Sequence, residues 1–134
     1  MLHLDENFNG IHFDILFEDR INLFDGDSGE GKTFMFKMIN TYLKVKGVSC
    51  IYLDNTATDF SEWTIKTACT DKSVIIFDNA DLYLTQNLLD FATETADTVI
   101  ISMKLYCRLR FESYNFYAVN YSGRSLVVRR EDII

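Results

Sequence analysis

A chain of 134 residues with 48% hydrophobic and 14% aromatic side chains has the composition of a folded globular protein, and we expect residues 1–134 to form a single domain. The net charge of −7 disfavours non-specific binding to nucleic acid by the domain as a whole. No apolar run is long enough to span a membrane. The three cysteines are far apart, which argues for reduced thiols in a cytoplasmic protein over a disulfide framework or a zinc site.

The first predicted element is a strand or small hairpin over residues 2–17, at an edge of a sheet. This segment lacks helical periodicity, and Asn9-Gly10 is a turn signal. Its first residues include acidic side chains where a signal peptide would have basic ones. Residues 20–25 then predict a second short strand.

That strand leads into a stretch that fills the phosphate-loop pattern G-x-x-x-x-G-K-[ST] at every specified position. Its glycines allow the loop to turn backbone N–H groups inward, and the helix predicted after it adds unpaired donors and the positive end of its dipole. Lys32 is expected to reach the β- and γ-phosphate oxygens, and the Thr33 hydroxyl to bind Mg²⁺. The predicted nucleotide-binding residues are Gly26, Asp27, Ser28, Gly29, Glu30, Gly31, Lys32, Thr33 and Phe34.

Apolar residues at spacings of three and four predict a helix over residues 34–46 with one wide buried face that includes Phe34 and Val45. Gly47 is the predicted C-terminal cap. The next strand, over residues 48–53, ends in Asp54. This carboxylate either contacts substrate or the attacking water, or closes an Asx-turn.

A short helix is predicted over residues 58–70, begun by Thr58 or Asp59. The same pattern places Trp63 on the inward face of that helix as a packing residue.

Residues 73–78 contain four consecutive apolar residues followed by Asp78, which predicts a fully buried central strand with a carboxylate at its C-terminal end. One strand and one helix separate it from the phosphate loop. That placement matches the Walker B element, so Asp78 is predicted to hold Mg²⁺ through water. The alternative is a cap at the end of a strand.

With both motifs present, the chain resembles the P-loop NTPase superfamily and, within it, the additional-strand ATPases that include the AAA-type and ABC-type families. The resemblance implies a three-layer α/β/α sandwich whose mainly parallel sheet has about five strands in the order 5-1-4-3-2, with an N-terminal edge strand and a C-terminal antiparallel hairpin. A complete ABC ATPase is excluded, because the chain has no glutamine between the two motifs and no Leu-Ser-Gly-Gly signature.

The resemblance also draws attention to the residue after Asp78. In many of those ATPases this residue is a glutamate that polarises the attacking water, whereas here it is Asn79. Asparagine can orient a water molecule but cannot accept its proton, so hydrolysis is slow, uses Asp81 instead, or is absent. The predicted catalytic residues are therefore Lys32, Asp78, Asn79 and Asp81.

A helix over residues 82–95, capped by Thr85, and a buried strand over residues 98–102 follow. In AAA-like ATPases a polar residue at the end of the corresponding strand senses the γ-phosphate. Ser102 either has that role or is structural.

The tail predicts a hairpin over residues 114–130 that extends the sheet at one edge. Residues 104–130 carry six basic side chains, including Arg124 and Arg129, and one acidic side chain. Such a ribbon could meet a protein partner, the triphosphate of a neighbouring subunit or single-stranded nucleic acid, or could protect the sheet edge by its charge. No recognition-helix or zinc-finger pattern indicates sequence-specific DNA binding.

The leading hypothesis is a cytoplasmic, Mg²⁺-dependent ATP-binding protein, a slow ATPase whose nucleotide state controls a partner or self-association through the basic hairpin. ATP is favoured over GTP because the chain has no Asn-Lys-x-Asp motif. One alternative is a nucleotide-gated interaction module without useful hydrolysis, motivated by Asn79. A weaker alternative is a small-molecule phosphotransferase in which Asp54 binds the acceptor hydroxyl.

Overall fold

A single mixed sheet carries the fold. The computed structural model describes residues 2–8, 10–18, 20–25, 32–56, 61–122 and 125–131. The strands in this part of the chain are β1 Leu2–Phe8, β2 Ile11–Phe17, β3 Ile21–Asp25, β4 Cys50–Leu53, β5 Val74–Phe77, β6 Thr98–Met103, β7 Asn115–Ser122 and β8 Ser125–Glu131. The helices are α1 Lys32–Val45, α2 Glu62–Cys69 and α3 Gln86–Thr95.

The strands lie in the order β1-β2-β8-β7-β3-β6-β5-β4. Five neighbouring strands, from β7 to β4, are parallel to one another. Numbered along the chain, these five lie in the order 5-1-4-3-2, which confirms the predicted order. Strand β3 lies between β7 and β6, so its C-terminal residue Asp25 is in the interior of the sheet, beside Met103 at the end of β6.

Helices pack on both faces of the sheet, which gives three layers. The residues of each strand alternate between the two faces, so each face has its own hydrophobic core. Helix α1 covers one face, where its buried residues Met35, Phe36, Met38, Ile39 and Leu43 pack against Phe24, Ile76 and Ile100. Helices α2 and α3 cover the other face, packing Ile65, Cys69, Leu88, Leu89 and Ala92 against Leu23, Ile75, Phe77 and Ile101.

Helix α1 begins two residues earlier than predicted, and its buried face is rotated from the predicted one. Phe34 and Val45 are 40% and 79% exposed, so their predicted burial is wrong. The predicted cap is confirmed: Gly47 has φ +80°, its N–H donates to the Lys44 carbonyl, and the Val48 N–H donates to the Leu43 carbonyl. This pair of bonds is a Schellman motif, whose left-handed residue favours glycine.

Helix α2 is shorter than predicted, and the face that it buries differs from the predicted one. Its cap is Ser61, whose hydroxyl accepts the Thr64 N–H, whereas the predicted starts Thr58 and Asp59 lie outside the described residues. Trp63 is 78% exposed, so its predicted packing role is wrong. The residues that face the sheet are Ile65 and Cys69, one helical turn apart.

Helix α3 begins as predicted, because the Thr85 hydroxyl accepts the Leu88 N–H. The same hydroxyl donates to the Glu62 carboxylate at the start of α2, at 2.7 Å. A single cap residue therefore joins the N-terminal ends of α2 and α3.

We expect Thr85→Ala to destabilise the protein by about 1 kcal/mol, because the cap of α3 and the bond to α2 are lost together. Urea denaturation followed by circular dichroism measures this difference. Thr95→Ala is the matched control, since the Thr95 hydroxyl bonds only a carbonyl of its own helix, that of Phe91. Equal effects of the two substitutions would contradict the capping role.

The two hairpins meet inside the sheet. Strands β1 and β2 form the predicted N-terminal hairpin, with β1 at the sheet edge. Strands β7 and β8 form the predicted C-terminal hairpin, but its predicted position at a sheet edge is wrong. Strand β8 pairs with β7 on one side and, in parallel, with β2 on the other. The first three residues of β8, Ser125, Leu126 and Val127, are therefore paired on both sides, so this part of the hairpin is not an open edge.

Candidate functional site

Three polar side chains from neighbouring strands converge near the C-terminal ends of the parallel strands, on the face covered by α1. The alternation of side chains explains the convergence. Ile76 and Ile100 belong to the core under α1. The side chains two residues further along, Asp78 and Ser102, point to the same side, and Tyr52 is paired with Ile76 in the register.

Asp78 is the centre of this site. Its side chain is 1% exposed and accepts three hydroxyl hydrogen bonds. Thr33 donates to Oδ2 at 2.8 Å, Tyr52 donates to Oδ2 at 2.6 Å, and Ser102 donates to Oδ1 at 2.7 Å. Hydrogen bonds to an ionised acceptor are among the stronger ones in proteins, so this carboxylate is held in one orientation.

Lys32 and Thr33 are supplied by the first turn of α1. Lys32 is only 7% exposed, so most of its side chain is enclosed by the protein at the start of α1. The loop residues Gly26, Asp27, Ser28, Gly29, Glu30 and Gly31 lie outside the described residues. Phe34 faces away from the site, with its ring 6.4 Å from that of Phe13.

Asn79 directly follows Asp78 in a left-handed backbone conformation, with φ +48° and ψ +54°. Asparagine is one of the few residues that adopt this region at low cost, whereas a glutamate there would be strained. The Asn79 N–H donates to Ser102 Oγ at 2.9 Å. Ser102 is thus engaged by both Asn79 and Asp78, which favours the structural interpretation of Ser102 over that of a phosphate sensor.

Asp81 is turned toward the segment that follows β6. Its carboxylate accepts the backbone N–H groups of Lys104 and Leu105 at 3.0 to 3.1 Å. Its own carbonyl oxygen accepts a hydrogen bond from the Arg108 guanidinium at 2.9 Å. These bonds hold the carboxylate against the segment that follows β6, which favours a structural role for Asp81 over the predicted catalytic one.

Asp54, at the end of β4, closes an Asx-turn. Its Oδ1 accepts hydrogen bonds from the Thr56 hydroxyl at 2.6 Å and the Thr56 N–H at 3.0 Å. Partial burial alone would raise the pKa of this carboxyl, but the bonds from Thr56 outweigh it and hold the pKa below its usual value. Of the two roles predicted for Asp54, the geometry favours the turn.

Sequence reasoning missed two tyrosines that contact Asp78. The Tyr52 hydroxyl bonds the carboxylate, and the Tyr83 hydroxyl lies 2.7 Å from the Asp78 carbonyl oxygen and 2.9 Å from that of Leu53. Burial raises the pKa of both phenols far above the usual value, followed by the hydrogen bond to Asp78 for Tyr52 and by the nearby charge of Asp78 for Tyr83. No local pattern singles out Tyr52: its place on the α1 face follows from the register of β4 and β5, which pairs it with Ile76.

Three broader findings concern metal groups, membrane spans and similarity to known proteins. Among the residues that the structure describes, no three His, Cys, Asp or Glu side chains are grouped to hold a metal ion. No helix in the described ranges combines the length and the apolar character needed to cross a membrane. Searches with family models and among curated proteins find no match to this chain.

Proposed function

We propose that this protein binds a nucleoside triphosphate with Mg²⁺, with ATP as the favoured nucleotide, and hydrolyses its β–γ bond slowly. The observation that carries the proposal is the 2.8 Å hydrogen bond from Thr33 to Asp78. It joins the end of the phosphate-loop pattern to the acidic strand end, 45 residues away in the chain. A phosphate loop and a carboxylate in contact at the C-terminal ends of parallel strands are the parts that Mg²⁺-dependent phosphoryl transfer requires.

Each residue has a role set by its chemistry. Lys32 would neutralise charge on the β- and γ-phosphates, and the amides of residues 26–31 would cradle the phosphate chain. Thr33 and Asp78 would hold Mg²⁺, directly and through water, because hydroxyl and carboxylate oxygens are the ligands that this cation prefers. Bound Mg²⁺ would offset the negative charge that develops on the phosphate oxygens during transfer.

The proposed hydrolysis is slow because neither Asp81 nor Asp54 is free to act as a base toward the attacking water. Asn79 can orient water only. Asp81 is bonded to backbone N–H groups, and Asp54 is bonded to Thr56. The engagement of Asp54 also weakens the phosphotransferase alternative, in which it would bind an acceptor hydroxyl.

A nucleotide-gated interaction module without useful turnover is the second candidate, and the same absence of a free base favours it. Its partner surface would not be the start of β8, since Ser125, Leu126 and Val127 are paired with both β7 and β2. A partner or a second copy would meet another part of that hairpin. Arg124 and the side chains of Arg129 and Arg130 lie outside the described part of the chain.

The first test is the thermal stability of the purified protein with and without Mg-ATP, with Mg-GTP in parallel. Ligand linkage predicts about 2.7 kcal/mol of stabilisation at a ligand concentration of 100 Kd. For a domain of this size that corresponds to a rise in Tm of roughly 3 °C per kcal/mol. Lys32→Ala should weaken binding by about 10- to 100-fold, since a charge-assisted bond to phosphate is lost.

Phosphate release from Mg-ATP, measured in the same two proteins, separates the two candidates. Release that is lost in Lys32→Ala indicates an ATPase, whereas binding without release indicates the interaction module. A Tm that neither nucleotide changes, or that rises equally in Lys32→Ala, would overturn the proposed function.

A further inference from the structure

The hydrogen bonds on Asp78 nearly exhaust its capacity to accept. An ionised carboxylate has about four acceptor positions, two on each oxygen. On Oδ2 the positions are filled by Thr33 and Tyr52, and on Oδ1 one is filled by Ser102. One position on Oδ1 remains for a further donor, such as a water molecule bound to a metal.

Tyr52 differs from Thr33 and Ser102, because neither the phosphate-loop pattern nor a second bond to the backbone of Asn79 accounts for its position at Asp78. Thr33 belongs to the phosphate-loop pattern, and Ser102 is also bonded to the backbone of Asn79. The Tyr52 ring packs against the core under α1, and the Lys37 ammonium lies 5.9 Å from its centre. A ring held in this way can present its hydroxyl to Asp78 without further ordering.

We propose that Tyr52 is a positioning residue for the metal site, an inference that rests on the proposed function. Its hydroxyl fixes the Asp78 carboxylate with Oδ2 toward Thr33, and leaves one acceptor position, on Oδ1, for metal-bound water. Without that hydroxyl, the Asp78 carboxylate can rotate about its Cβ–Cγ bond and accept hydrogen bonds from other donors. Groups that orient a metal-binding side chain from outside the ligand shell commonly change metal affinity by about 10- to 100-fold.

The test is the Mg²⁺ dependence of nucleotide binding in Tyr52→Phe, which removes the hydroxyl and keeps the ring. Binding of a fluorescent ATP analogue is measured at increasing Mg²⁺ concentrations, and its affinity is measured separately in EDTA. We expect the Mg²⁺ midpoint to rise by at least about 10-fold, while the affinity in EDTA stays within about twofold because the phosphate contacts are untouched. Tyr42→Phe is the matched control, since the Tyr42 hydroxyl bonds Glu6 on the N-terminal hairpin.

Each outcome decides something different. A Mg²⁺ midpoint in Tyr52→Phe that is unchanged or lower overturns the positioning role, even if its Tm falls. A midpoint that rises equally in Tyr42→Phe also overturns it. If the wild-type protein binds no nucleotide in Mg²⁺, the proposed function fails, and the inference fails with it.

Discussion

Under the proposed function, Asp78→Asn is expected to lower Mg²⁺-dependent ATP turnover by at least about 100-fold, because the charge that would hold Mg²⁺ is lost. Metal stabilisation of a phosphoryl-transfer transition state is worth several kcal/mol, and each 1.36 kcal/mol is tenfold in rate. The fold should survive. The new amide oxygen can still accept from Thr33 and Tyr52, and its NH₂ group can donate to Ser102.

The measurement is steady-state phosphate release, together with the Tm of each protein without ligand. Asp90→Asn is the matched control, because Asp90 is an exposed carboxylate on α3 whose partner is Gln86. It should turn over ATP at the wild-type rate. Turnover by Asp78→Asn within tenfold of wild type, in a protein that keeps its Tm, would remove Asp78 from the metal site.

The parts of the site that the sequence predicts are those encoded by neighbouring residues. Thr33 is identified by the local phosphate-loop pattern, and Asp78 by the apolar run that precedes it. The caps Gly47 and Thr85 are correct for the same reason, since a cap depends on the residues within one turn of it. The order of the five parallel strands followed from the resemblance to the additional-strand ATPases, and the structure has that order.

The parts that the sequence does not predict depend on pairing between distant segments. The role of Tyr52 requires the register of β4 against β5, which no local pattern specifies. The interior position of the C-terminal hairpin requires the parallel pairing of β8 with β2, across more than 100 residues of chain. Trp63 was assigned to the wrong face, because the helix buries Ile65 and Cys69, four residues apart, rather than the face that carries the tryptophan.

Phe24→Ala is expected to produce the largest loss of stability, about 3 to 5 kcal/mol. Phe24 is fully buried at the point where four elements meet, with ring centres 5.2 Å from Phe36, 5.3 Å from Tyr117 and 6.2 Å from Phe17. These partners belong to α1, β7 and β2. Truncation would leave a cavity that none of the three elements can close without moving the others, and the loss is a large part of the 5 to 15 kcal/mol typical of a domain.

Urea denaturation gives the free energy of unfolding, and Phe24→Leu provides a milder variant if the alanine variant does not fold in water. We expect the leucine variant to lose about 1 to 2 kcal/mol, since most of the ring's volume is kept. Trp63→Ala removes a larger aromatic side chain from the exposed face of α2, and its effect should stay within about 0.5 kcal/mol. If Trp63→Ala lowered the free energy of unfolding as much as Phe24→Ala does, the side of α2 that faces the sheet would be misassigned. If Phe24→Ala lowered it by less than about 1 kcal/mol, α1, β2 and β7 would not meet on this ring.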